Sequence, residues 1–113
     1  GFRRLNMANT FKNAGVAVGN TRTTVYTCPA STAAVVNAVY LSNIDGANSV
    51  DATLECTIDG GTTYRHVMKT VPVPADSTLV IDKAVNLEAG DILAATASAT
   101  GDLECVIGVL EIT

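Results

Sequence analysis

Tryptophan is absent from this sequence, histidine occurs once, and only five of its 113 residues are aromatic: Phe2, Phe11, Tyr26, Tyr40 and Tyr64. Stacking platforms for bases or sugars therefore have little to be built from. Ala, Val, Ile and Leu must make the core, and the smaller of these return less than the about 1.5–3 kcal/mol of a buried Leu or Phe. Charge is also scarce, 16% of residues, and seven basic against eleven acidic side chains give a net charge of −4. That sign is wrong for a chain that neutralises phosphates or anionic lipid, so neither nucleic acid nor a membrane surface is an expected partner. No apolar run reaches the roughly 18 residues of a membrane span. No charged segment leads into an apolar one as in an export signal, so none is expected.

The same scarcity limits chemistry. Acid–base or nucleophilic catalysis needs titratable groups that converge, and His66 is the only imidazole. It lies in a strand-like stretch and reads as a surface histidine, so no catalytic residue and no cofactor is expected. Cys28, Cys56 and Cys105 are an odd number, separated by 28 and 49 residues, which fits neither a zinc nor a Cys-x-x-Cys redox pattern. They read as free thiols packed as small hydrophobes. Asp45, Asn48 and Asp51 fall together and supply oxygens that calcium favours, but without the spacing of an EF-hand loop, so the expected metal content is none. Asp59, Asp91 and Asp102 stand beside glycines and read as turn residues. Tyr64, Arg65 and His66 are the candidates for contacting a sugar.

Period-2 alternation is clearest over residues 50–59, where Val50, Ala52, Leu54, Cys56 and Ile58 mark one face for the core. Asp59-Gly60-Gly61-Thr62 signals a hairpin, and residues 62–71 should return antiparallel as an edge strand that Pro72 and Pro74 close. Further strands are expected over residues 22–28, 33–42, 77–82, 92–98 and 103–112. The segments 33–42 and 103–112 are apolar at both parities, which implies cover on both faces. Glycines and prolines punctuate the chain every 10–15 residues, with no apolar helical stripe. The pattern predicts an all-β fold: a single antiparallel β-sandwich of seven or eight strands over residues 7–113, jelly-roll or immunoglobulin-like, preceded by an extension or processing remnant at residues 1–6.

Several segments occur in a familiar order. Met7-Ala-Asn-Thr-Phe-Lys-Asn-Ala14, Thr23-Thr-Val-Tyr-Thr-Cys-Pro-Ala-Ser-Thr32 and Tyr40-Leu-Ser-Asn43 are followed by Val71-Pro-Val-Pro-Ala-Asp-Ser-Thr-Leu79, Leu87-Glu-Ala-Gly-Asp-Ile-Leu93 and Val109-Leu-Glu-Ile-Thr113. From residue 7 onward the chain resembles small virion structural proteins of tailed, especially marine, bacteriophages. The resemblance implies a non-enzymatic part of a virus particle, in head decoration, neck or tail, located in the virion and assembled from copies around a symmetry axis beside other virion proteins. It brings no catalytic residues.

A thin core and two strands greasy on both faces agree with burial between copies. Residues 33–41 and 103–112 are the expected contact of a homo-oligomer. The alternative is a β-sandwich that binds a glycan or another cell-surface group through Tyr64 and its neighbours, as a fibre tip or adhesin domain would.

Overall fold

The structure is a computed structural model and describes residues 8–113; the extension expected at residues 1–6 lies outside that range. Nine strands and no helix are found among the described residues: β1 (Asn9–Val18), β2 (Thr23–Thr27), β3 (Ala33–Asn43), β4 (Val50–Thr57), β5 (Tyr64–Val73), β6 (Thr78–Ile81), β7 (Val85–Leu87), β8 (Ile92–Ala97) and β9 (Leu103–Ile112). With no helix there, none is long and apolar enough to cross a membrane. The strands form two packed antiparallel sheets. One has the order β1-β9-β3-β6, with β7 pairing the same side of β3 as β6; the other has the order β2-β8-β4-β5. The segment expected at residues 77–82 is β6, and it is followed by a second short strand, β7. Residues 9–18, which carry no expected strand, form an edge of the first sheet.

Facing side chains of both sheets fill the space between them. Leu41, Leu54, Leu87, Leu93, Leu103 and Ile107 are the largest fully buried side chains, packed with Val18, Val36, Val39, Val50, Val73 and Val109. No aromatic ring is among them, as the composition requires. Narrow aliphatic side chains bring two sheets close without ring-sized gaps, which suits the about 10 Å separation of stacked sheets.

The mixed parity of β3 has a different cause from the one expected. Ala34 and Val36 are buried, and so are Val39, Leu41 and Asn43, so the inward set changes from even to odd numbers at Asn37. The pairing with β9 slips there, with Val36 opposite Val109 and Ala38 opposite Gly108, the signature of a β-bulge. Both parities are apolar because the bulge turns both toward the core in succession. Among the described residues nothing covers the other side of β3.

β4 follows its expected alternation through Leu54, but Ile58 is exposed and lies beyond the strand's end. Glu55, expected to be solvated, is buried, and Cys56 is half-buried against the core. The pairing with β5 is irregular around Leu54, and Thr70 adopts a positive φ of 48°. The Thr70 N–H donates to the Thr53 hydroxyl at 3.0 Å, which satisfies a donor freed by the irregularity. β5 is an edge strand, as expected from Pro72 within it and Pro74 just beyond it.

The hairpin between β4 and β5 is a six-residue loop rather than a two-residue turn. Asp59 accepts hydrogen bonds from the Thr62 and Thr63 amides. The loop packs on the turn before β8 so closely that a Cβ on Gly61 would stand 3.0 Å from the Gly90 carbonyl oxygen. Buried Asp91 joins the two: it accepts from the Gly60 amide at 2.9 Å, the Glu88 amide at 2.8 Å and the Thr57 hydroxyl at 3.4 Å. Asp91→Ala strands these donors away from water. It should lower the unfolding free energy by about 2–3 kcal/mol, measured as a shift of the urea midpoint at unchanged m-value.

Candidate assembly surface

Register places the outward side chains of the first sheet in rows across its strands. One row runs Gly15, Val106, Tyr40 and Val80; another runs Phe11, Leu110 and Val35; between them lie Asn13, Gly108 and Ala38. Phe11 is 79% exposed, Val106 49%, Val80 48% and Tyr40 43%. Glu104 is the one charged side chain at an outward position of β1, β9, β3 or β6, and it occupies a row at the face's end. The expected contact segments 33–41 and 103–112 therefore lie side by side and supply the middle of a continuous, weakly charged apolar face. Phe11 and Val80 extend it on either side.

Two glycines indent this face. A Cβ on Gly15 would meet the Cys105 carbonyl oxygen and Val106 Cγ2 at an ordinary 3.6 Å, so nothing among the described residues requires glycine there. The space instead opens outward as a shallow depression bordered by Val16, Ala17, Glu104 and Val106. Gly108 likewise has only the Asn13 side chain within 4 Å of a built Cβ. Glycine inside a strand sacrifices packing and chain entropy, and it often marks close approach by another molecule.

The outward side of the second sheet is polar and internally tied. Arg22 grips Glu55 through two hydrogen bonds of 3.2 Å, from Nε to Oε1 and from the terminal nitrogen to Oε2. The same guanidinium lies 3.8 Å from the centre of the Tyr64 ring. His66 Nε2 stands 3.8 Å from Glu55 Oε2. The structure therefore brings together Tyr64 and His66 with Arg22 and Glu55, while Arg65 pairs opposite Cys56 on the other parity. The stacking surface envisaged for a sugar carries an arginine on one side.

Lys12, Glu111 and Tyr26 link the sheets near the end of the sandwich. The Tyr26 hydroxyl donates to Glu111 Oε2, and Lys12 Nζ lies 2.9 Å from Oε1. The Tyr26 hydrogen bond and then the ammonium hold the Glu111 carboxyl below its ordinary range, while burial first and this bond second push the Tyr26 phenol upward.

The remaining expected sites behave as structural groups. Burial pushes all three thiols upward, Cys105 to about 12, which keeps them protonated at neutral pH and disfavours nucleophilic attack. Cys28 donates its S–H to the Thr32 carbonyl at 3.3 Å. Asp45 closes its own loop, accepting from the Ala47 amide at 2.8 Å and from the Asn48 side chain at 3.3 Å. Asp51 lies on β4, apart from that turn. Among the described residues no three acidic, histidine or cysteine side chains approach closely enough to share a metal ion. Asp59 and Asp91 do organise turns, and Asp102 lies in one. Phe11, Gly15 and Val80 escaped sequence reading because their face exists only through pairing with β9 and β3, and Arg22–Glu55 joins residues 33 apart.

No protein-family model matches the chain, and no curated protein matches it in sequence. Its fold does match solved structures. It covers 95% of its own length and 88% of a chain from Bacillus endospore appendages, which are disulfide-linked pili, with TM-score 0.55 and 16% identity. It covers 96% of itself and 92% of a chain in the acid-stable capsid of Helicobacter pylori bacteriophage KHP30, with TM-score 0.54 and 13% identity. A pentameric capsid protein isolated from metagenomic phage sequences is 24% identical over 97% of this chain and 62% of that one, with TM-score 0.42. These neighbours are structural proteins of capsids and pili, and what the first two share with this chain is the arrangement of its sheets.

Two outcomes are expected. A depressed carboxyl contributes stability above its ordinary value of 4.5 that is lost as pH falls through the lowered one; a raised phenol contributes below 10.0, lost as pH rises toward the raised one. Melting temperature should fall on both sides of that window. Glu111→Gln should leave on the acid limb only the part due to the depressed Asp45 and Asp59, and Tyr26→Phe should reduce the acid limb while leaving on the alkaline limb only the part due to the thiols. A thiol reagent applied to the native protein should label Cys56 first, with Cys28 and Cys105 reacting at the rate of unfolding.

Proposed function

We propose that this protein is a non-enzymatic structural subunit of a phage-like virion, assembling with copies of itself through apolar strand faces. Counting β6 and β7 as one interrupted strand, the order β1-β9-β3-β6 facing β2-β8-β4-β5 supports a jelly-roll reading over an immunoglobulin-like one, and jelly rolls are an architecture used by viral capsid domains. The fold likeness to a chain of a phage capsid, spanning nearly all of both, supports this reading. So does the ordered resemblance of its segments to virion proteins of tailed phages, with a place in head decoration, neck or tail. Such a subunit acts in the virion, beside other virion proteins, without cofactor.

The observation that carries the proposal is the open face of the first sheet. Each of its large apolar side chains, left in water, forgoes part of the about 1.5–3 kcal/mol that burial returns, and a face of this kind marks a protein contact. The pilus neighbour is disulfide-linked; in this chain Cys28 and Cys105 are buried and burial pushes all three thiols upward, which supports a contact between copies that does not depend on disulfides.

Light scattering coupled to size exclusion, from micromolar to millimolar protein under reducing conditions, tests this. The expected result is a defined oligomer whose population grows with concentration and is indifferent to reductant. A strict monomer throughout would remove the basis of the proposal.

A further inference from the structure

Resting on that reading, we infer that the outward face of the β1-β9-β3-β6 sheet is a self-complementary contact with a second copy of this chain, two-fold about an axis crossing the strands at the Asn13–Gly108 row. Phe11 and Gly15 occupy the same strand and the same face, four residues apart, on either side of Asn13. A two-fold axis across the strands at that row lays β1 over its copy and sets each Phe11 ring against the other copy's Gly15 depression. The same operation sets Leu110 over Val106 and Val35 over Tyr40, apolar on apolar. Gly108 and Ala38 meet their own copies at the axis, where their small size lets the two sheets approach.

The area suffices. Strands β1, β9 and β3, of ten, ten and eleven residues, together with the seven residues of β6 and β7, give a face near 600 Å² at about 4.8 Å strand spacing and about 3.3 Å rise. Two such faces bury about 1,200 Å², the lower end of what a specific, stable interface needs. Charge favours the same occupant, because an almost uncharged face meets no like-charge repulsion from its own copy, and Glu104 lies in an end row. In an isologous contact each residue is used twice, so one knob and one hollow per chain complete it.

Sedimentation equilibrium on the full chain, with circular dichroism melting to verify folding, tests the contact. Val106→Lys and Gly15→Leu should each weaken self-association at least 100-fold, while Ile58→Lys, at a more exposed apolar position on the β4–β5 loop, leaves it unchanged. Gly15→Leu fills open space without an internal clash, so it remains informative if Val106→Lys fails to fold. In a Cys56→Ser background, Asn13→Cys should link to itself with a short bismaleimide, because only a residue near a two-fold axis meets its own copy. Association unaltered in both folded variants, or oligomers in which Asn13→Cys does not cross-link, overturns this contact and leaves the assembling role standing. A wild-type chain that remains monomeric overturns both.

Discussion

The first sheet depends on β9, which lies between β1 and β3 and bonds to both. Its alternate residues do opposite work: Leu103, Cys105, Ile107 and Val109 close the core, while Val106 and Leu110 stand at the centre of the open face. A core of narrow aliphatic side chains cannot hold two sheets together through a few large residues, so it needs every strand in place. Most pairings join residues far apart in sequence, and β1 meets β9 across nearly the whole chain. Such non-local order is costly to reach and, once formed, cooperative.

Where the aliphatic core ends, charged groups take over, each fixed by several partners. Asp91 ties two loops at one place, Glu111 ties β1, β2 and β9 at another, and Glu55 is roofed by Arg22. Among the described residues no buried side-chain polar atom lacks a partner, so the burial of these carboxylates is offset by hydrogen bonds. The two outer surfaces differ as a result. One has its polar side chains engaged with each other, and the other presents Phe11, Tyr40, Val80 and Val106 with nothing among the described residues to meet them.

Much of the fold was legible in the sequence, because alternation and turn chemistry are local. Residues 50–54, Pro72 and Pro74 at the end of β5 and the turn aspartates carry their roles openly. Strand β1 was not legible: Phe11-Lys-Asn-Ala-Gly15 has no β-branched residue, and β9 holds it in place. The bulge at Asn37 was hidden for a related reason, since an apolar run reads alike whether it is covered twice or shifts parity once. The candidate face was half legible. Segments 33–41 and 103–112 stood out by composition, but Gly15 and Phe11 acquire meaning only from their row positions, and strand order is set by pairings no local pattern encodes.

The central place of β9 also bears on how the protein is made. It leaves the ribosome after every other described strand, so until it arrives β1 and β3 have no shared neighbour and the open face has no middle. Nascent chains crowded along one message thus lack the middle of that face, and under the proposed assembly cohesion would be deferred until each copy has folded.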